Sequence, residues 1–157
     1  MILSAHLKEH LNGPQAFWIG TRDADLIPEA VRGAVVIVKP LNVLRILVQK
    51  EQAQKTLENL RHNRRVALSS IDPSNLESYQ FKGTFIKSED ATAEELDLIK
   101  ERKVVFNEVL LTWGLPDGLV YKLPTFPTIA LEFEIEEIFE QTPKQGTGQL
   151  MSELSGR

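Results

Sequence analysis

The sequence predicts a single α+β domain, built mainly on an antiparallel sheet or barrel with two or three helices beside it. Its 157 residues are enough for one domain with a real core and too few for two. About seven short segments are rich in β-branched and aromatic residues or alternate in hydropathy, as strands do. Few helices separate these segments, and this argues against a doubly wound parallel sheet.

The first part of the chain predicts a short helix followed by two hairpins. Ser4 can cap a helix over residues 5–11, and Gly13 and Pro14 then end it. The strands that follow are apolar or β-branched and are separated by turn residues. These predicted strands cover residues 16–21, 26–31, 33–39 and 43–48.

Further along, the spacing of apolar residues changes from two to three and four. This change predicts a helix over residues 52–62. Thr92 and Glu95 have the spacing of a capping box, which begins a long helix that ends near Trp113. The remaining predicted strands cover residues 65–71, 79–87 and 128–135, and residues 124–127 are predicted to be extended.

The domain is expected to occupy residues 1–140. The tail, residues 141–157, holds glycine and proline and has no apolar pattern. It is predicted to be extended or disordered, or to lie across a neighbouring molecule. No internal repeat and no linker divides the chain.

Composition argues against several classes of function. The net charge of −4, from 22 acids and 18 bases, is unlike that of a general nucleic-acid binder. No apolar run approaches the roughly 20 residues that span a bilayer, and the start is unlike a secretory leader, so a cytoplasmic protein is expected. The absence of cysteine excludes disulfides and thiolate metal sites. His6 and His10 share a helix face and are expected to be a solvated pair rather than a metal site.

The chain has no complete set of catalytic residues, since nucleophile-elbow, Gly-x-Gly-x-x-Gly and P-loop patterns are all missing. The junction from Gln49 to Thr56 is more informative. A predicted strand ends there and a helix begins, so free backbone N–H groups and the positive end of the helix dipole favour an anion. Lys55 could add charge and Thr56 a hydroxyl, although lysine and threonine in an early helical turn face solvent far more often than they bind a ligand.

Several segments, in this order, resemble the pyridoxamine 5′-phosphate oxidase-like FMN-binding flavoproteins. Residues 54–56 (Gln-Lys-Thr) resemble the family's phosphate-binding segment, and residues 63–68 (Asn-Arg-Arg-Val-Ala-Leu) resemble the strand that follows it. Residues 79–83 resemble the strand in which a glutamine faces the flavin, and residues 139–148 resemble the C-terminus of a short subgroup. The resemblance covers residues 15–150 and implies a split β-barrel of Greek-key topology.

The resemblance implies FMN as the cofactor, bound between the two subunits of a homodimer. The cofactor-binding residues that it implies are Val31, Arg32, Gln49, Lys50, Lys55, Thr56 and Gln80. The lysine–threonine pair would hold the phosphate, and the glutamine and lysine before it would lie along the ribityl chain or the phosphate. The valine and arginine would pass the edge of the ring, and the last glutamine would come from a neighbouring strand.

The activity that the resemblance implies is an FMN-dependent oxidoreductase acting on a small organic substrate, with NADH or NADPH as a candidate reductant. Pyridoxamine 5′-phosphate is not the expected substrate. Ile37 stands where the fuller oxidases have a lysine after the arginine, and no histidine follows Gln141. Two alternatives stay open: a deazaflavin- or haem-binding relative on the same barrel, and a non-catalytic dimer that binds a flavin or another phosphate ligand.

Overall fold

A computed structural model describes residues 3–116 and 128–151, and these residues form six strands and three helices. The strands are β1 (Ala16–Arg22), β2 (Pro28–Lys39), β3 (Val43–Gln49), β4 (Arg65–Ile71), β5 (Ser78–Asp90) and β6 (Thr128–Glu140). The helices are α1 (Ala5–Asn12), α2 (Gln54–Asn63) and α3 (Ala93–Thr112). The predicted extended stretch at residues 124–127 lies outside the described residues.

The six strands form a closed barrel in the order β1-β2-β3-β6-β5-β4, and every neighbouring pair is antiparallel. Strand β4 follows β3 through α2 and lies beside β1, so the spatial order β4-β1-β2-β3 is a Greek key. The predicted α+β class with a mainly antiparallel split barrel is confirmed.

Strand β2 differs from its prediction, because residues 26–31 and 33–39 were expected to be separate strands. At the centre of β2, Gly33 pairs with Phe17 of β1 on one side and with Val48 of β3 on the other. The register with β3 shifts just after this glycine, so a bulge bends the strand without ending it. One long strand therefore belongs to both hairpins, and six strands replace the predicted seven.

Helix α3 lies against the outside of the barrel. Its first turn has the predicted capping box, in which Thr92 and Glu95 each bond the other's backbone N–H. Leu98 and Ile99 of α3 pack on a small cluster that includes Val35 of β2 and Leu47 of β3. This packing holds the next turns of α3 beside β2, where they form one wall of a cleft.

Helix α1 packs on the barrel through Leu7, His10 and Leu11, which are all buried. The Nε2 atom of His10 lies 2.6 Å from Oγ of Ser70 on β4. The expectation that His6 and His10 are both solvated is therefore wrong for His10. The i, i+3, i+4 spacing of these three residues places the histidine on the same face as the two leucines.

Of the tail, the structure describes residues 141–151, and these turn back along the barrel. The backbone N–H of Met151 donates to the carbonyl of Ile138, and Phe139 forms an isolated bridge with Leu150. The side chain of Met151 packs against the core. This segment is therefore in contact with β6. Among the described helices, none is long and apolar enough to span a membrane.

Candidate functional site

A cleft of about 700 Å³ opens between α3 and the outer face of β2. Its walls come from the end of α1, from β1 and β2, from the end of β3 and from α3. Trp18 of β1, Ala34 of β2 and Phe106 of α3 supply apolar surface to it. This volume lies within the range of roughly 300–1,000 Å³ that is usual for small-molecule sites.

The charge around the cleft is of one sign. Arg32, Lys100, Arg102 and Lys103 line it, and no aspartate or glutamate is among its described lining residues. This is unexpected in a chain in which acids outnumber bases by 22 to 18. A mostly apolar cleft with only positive charges is suited to an aromatic or aliphatic ligand that carries an anionic group.

Arg32 contacts the opposite wall of the cleft. Its guanidinium carbon lies 5.4 Å from the centroid of the Phe106 ring on α3. This cation–π contact spans the space between β2 and α3 and fixes the direction of the arginine side chain. The cleft therefore has one positioned guanidinium at its edge.

Gln15 supplies a buried polar group to the same cleft. Its Nε2 donates to the backbone carbonyl of His10 at 2.7 Å, an assignment that leaves Oε1 as the free acceptor. Oε1 is buried and has no donor among the described residues. Because buried acceptors are normally paired, an N–H group on a ligand would supply the missing donor.

Three of the seven predicted cofactor residues lie together at this cleft. Val31, Arg32 and Gln49 all line it. Val31 is buried, whereas Arg32 is exposed towards the opening. Their juxtaposition follows from the pairing of β2 with β3, which brings the middle of one strand beside the end of the other.

Lys50 and Gln80 lie elsewhere among the described residues. Lys50 follows β3 and forms an exposed ion pair with Asp90, with 3.4 Å between Nζ and Oδ1. Gln80 lies on β5, half-buried, between Ser69 of β4 and Phe139 of β6. Neither lines the cleft of this single chain, and their roles stay predictions.

The start of α2, where the phosphate was predicted, is surrounded by carboxylates. Thr56 is fully buried, and its hydroxyl donates to Glu29 at 2.8 Å. The Nζ atom of Lys55 lies 3.9 Å from Asp23 and 3.6 Å from Glu58. Both side chains therefore contact acids within the chain, and their role as phosphate ligands stays a prediction.

The first turn of α3 is fixed by a buried arginine. Nε and Nη2 of Arg45 on β3 donate to Glu95 at 2.5 and 3.0 Å, and Nη1 donates to Glu89 at 2.6 Å and to Glu132 at 3.0 Å. The hydrogen bond from Arg45 holds the pKa of Glu95 below its usual value, against the effect of burial. This cluster ties α3 to three strands and so determines where the cleft wall stands.

Sequence reasoning missed the side of the cleft formed by α3. Ile99, Arg102, Lys103 and Phe106 recur at i, i+3, i+4 and i+7, so they lie on one face of the helix. The sequence therefore contained a signal: two cations between two apolar residues on one helix face. The start of this helix was predicted, but the partner of this face was not.

The described lining of the cleft contains no side chain suited to acid–base or nucleophilic catalysis. Its polar members are glutamines, Thr128 and the four cations, and it has no histidine, carboxylate, tyrosine or cysteine. Within residues 3–116 and 128–151, no three metal-ligating side chains converge. Any chemistry in this cleft would therefore need a bound molecule to supply the reacting group.

Solved structures of other proteins share this fold at low sequence identity. HupZ from Group A Streptococcus has a TM-score of 0.56 and 16% identity, covering 94% of this chain and 99% of its own. A pyridoxamine 5′-phosphate oxidase-related, FMN-binding protein from Nostoc punctiforme has a TM-score of 0.54 and 12% identity, covering 96% and 91%. An F420 reductase has a TM-score of 0.51 and 15% identity, covering 87% and 98%.

No family model matches the sequence, and no curated protein matches it. The structural similarities show that the chain has the barrel fold of these proteins. Proteins related to pyridoxamine 5′-phosphate oxidase are among its structural neighbours, as the sequence resemblance implied.

Proposed function

We propose that the protein binds FMN in the cleft between β2 and α3 and acts as a flavin-dependent oxidoreductase. The observation that carries the proposal is the cleft itself, which is mostly apolar, has about 700 Å³ of space and has cations but no carboxylate in its described lining. FMN combines a flat aromatic ring with a phosphate, so its two parts suit the two kinds of surface. FMN-binding proteins among the structural neighbours support this choice.

The residues of the cleft fit a flavin. The buried Oε1 of Gln15 has no donor among the described residues, and the isoalloxazine ring carries one N–H group at its imide edge. Trp18, Ala34 and Phe106 offer apolar surface for the ring, and Gln49 offers hydrogen bonds to polar ring or ribityl atoms. Arg32 is placed to meet negative charge on the ligand.

Bound FMN would supply the two-electron chemistry, by accepting a hydride from a donor or passing one to a substrate. The chain's own part is to bind and orient. Gln15 would accept from the ring, the apolar walls would exclude water, and the cations would hold the anionic end. Because the described lining has no histidine, carboxylate or tyrosine to act as an acid or base, protons would come from solvent or from the substrate.

The binding proposal is tested by titrating the purified protein with FMN and following the quenching of flavin fluorescence. Saturable quenching, together with a flavin absorption spectrum in the protein after gel filtration, is expected. A Gln15→Leu variant should bind FMN and riboflavin more weakly by the same factor, since the lost contact is to the ring. Absence of saturable binding at high micromolar FMN would overturn the proposal.

The oxidoreductase proposal is tested by mixing the FMN-loaded protein with NADH or NADPH in a stopped-flow instrument. Bleaching of the flavin absorbance, followed by reoxidation with an acceptor, is expected of an enzyme. A non-catalytic flavin-binding protein would hold FMN and not cycle it with any reductant. Pyridoxamine 5′-phosphate should not be oxidised, because Ile37 stands at the position where the fuller oxidases have a lysine.

A deazaflavin cofactor is the second candidate, and the F420 reductase among the structural neighbours favours it. A deazaflavin also has a flat ring and an anionic tail, so it would use the same two surfaces. The absorption spectrum separates the two, because a bound deazaflavin and a bound flavin absorb at different wavelengths. Competition between FMN and a deazaflavin for one site would show which is preferred.

We also propose that the protein is a homodimer that closes the cleft. Trp18, on the cleft wall, is 46% exposed, and Val104 and Val105 of α3 and Trp113 just after it are exposed as well. A second copy covering these side chains would remove exposed apolar surface from water. Light scattering after gel filtration should give twice the chain mass of 17.7 kDa. A monomer that still binds FMN would contradict the dimer and leave the cofactor proposal standing.

A further inference from the structure

Building on the proposed flavin cleft, we propose that Arg102 of α3, together with Arg32 of β2, holds the anionic group of the bound ligand. The ligand would be a planar aromatic molecule with a phosphate or similar anion. The anion anchor would then be helix α3, and the start of α2 would have a structural role. Neither the fold nor the sequence resemblance assigns any role to Arg102.

Among the described residues, the Arg102 guanidinium has no counter-ion. It lines the cleft, it is half-buried, and it makes no hydrogen bond or ion pair among the described residues. A half-buried arginine usually finds a carboxylate or a carbonyl, because its five N–H groups are strong donors. The nearby Lys100, in contrast, has Asp97 at 3.5 Å on its own helix. Arg102 is thus the α3 cation most free to meet a ligand.

Arg32 faces Arg102 from the other side of the cleft. Its contact with Phe106, four residues after Arg102 on the same helix face, places its guanidinium next to α3. Beyond this ring contact Arg32 makes no hydrogen bond or ion pair among the described residues, so its N–H groups are available to a ligand. Two guanidinium groups at one opening match the several oxygens of a phosphate, which accept bidentate hydrogen bonds.

The start of α2 is a poorer place for the same phosphate. The helix end has no side-chain cap at Ala53, and this favours an anion. Three carboxylates oppose it, since Thr56 donates to Glu29 and Lys55 lies within 4 Å of both Asp23 and Glu58. A phosphate there would have to displace these contacts and meet like charge. No carboxylate opposes a phosphate at the described lining of the cleft.

The experiment measures the affinities of FMN and of riboflavin, which lacks the phosphate, for the wild type and for single-residue variants. Arg102→Ala should weaken FMN binding by about 10- to 100-fold, the range for a lost hydrogen bond to a charged group, and leave riboflavin binding unchanged. Arg32→Ala should weaken FMN binding more than riboflavin binding. Arg61→Ala is the matched control: an exposed arginine on a helix, outside the cleft, that should alter neither affinity. Circular dichroism and thermal unfolding confirm that each variant is folded.

Three results would overturn the inference. Wild-type protein could bind the two flavins equally, Arg102→Ala could leave the ratio of their affinities unchanged, or Lys55→Ala could abolish the preference for FMN. If the wild type binds neither flavin, the proposed function fails separately, and 8-anilinonaphthalene-1-sulfonate then decides about the anchor. Weaker binding of this aromatic sulfonate by Arg102→Ala supports an anion anchor, and unchanged binding refutes it.

Discussion

One arginine contacts helix α3 and another belongs to it, and the surroundings of the two side chains are opposite. Arg45, under the first turn, donates to Glu89, Glu95 and Glu132 and is almost completely buried. Arg102, two turns further along, faces a cleft and has no carboxylate partner among the described residues. A guanidinium enclosed by acids contributes to the fold, whereas one left open to a cleft is available to a ligand.

The largest expected effect on stability comes from removing Arg45 from its cluster with three glutamates. Arg45→Met should lower the free energy of unfolding by about 3 kcal/mol, near the lower end of the range for a broken buried ion pair, because it leaves the buried carboxylate of Glu132 with only the more distant Lys39 and Lys87. Guanidinium unfolding measures this, with the exposed Arg61→Met as control. A loss below about 1 kcal/mol would mean that solvent reaches the cluster and screens it.

A smaller effect is expected at the start of α2. Thr56→Val keeps the shape of the side chain and removes the hydroxyl that donates to Glu29. Because Glu29 still accepts from Thr21, the loss of unfolding free energy should lie near the lower end of about 1–3 kcal/mol. The affinity for FMN should stay the same. A tenfold loss of FMN affinity with unchanged stability would instead identify Thr56 as a phosphate ligand.

His10 is intermediate between the two arginines, since it is buried and has few partners. Its Nε2 bonds Ser70, its Nδ1 lies 3.9 Å from Glu77, and its ring packs edge-on against Tyr79. Burial lowers the pKa of His10, and the charges of Glu77 and Asp72 oppose this effect. The neutral ring is therefore the form that suits the folded protein.

Stability should consequently fall in mild acid. The unfolded chain takes up a proton on His10 near its ordinary pKa of about 6.5, before the folded chain does, so stability declines as the pH falls below this value. The contribution of this one group to the change of the unfolding free energy with pH cannot exceed about 1.4 kcal/mol per pH unit. The neighbouring His6 adds positive charge and acts in the same direction. Unfolding free energies across this range should show a smaller slope for His10→Gln than for the wild type, and equal slopes would contradict the assignment.

Local patterns in the sequence predicted most of the fold. Strand β4 was predicted at residues 65–71 and occupies them, and the capping box of Thr92 and Glu95 begins α3 as expected. These features depend on residues close together in the chain. The continuation of β2 through Gly33 was missed because a glycine between two apolar runs can equally mark a turn or a bulge.

The candidate site was less predictable, because its parts meet only through packing. The partners of Arg45 lie 44, 50 and 87 residues further along the chain, so no local pattern identifies them. The cleft exists because the face of α3 that holds Arg102 and Phe106 lies beside β2. The sequence pattern indicates that these residues share one helix face, but it does not show that this face lies beside β2.

The smallest expected effect on stability tests the contrast between Arg45 and Arg102 most directly. Arg102→Ala should change the free energy of unfolding by less than about 0.5 kcal/mol in the ligand-free protein, because the arginine has no partner to lose among the described residues. At low ionic strength a slight gain is expected, since one of four like charges around the cleft is removed. Denaturant unfolding at low and moderate salt measures both effects, and Arg45→Met run beside it shows the contrast. A loss of several kcal/mol would show that Arg102 supports the fold, and the selective effect of its removal on phosphate-bearing ligands would then need another explanation.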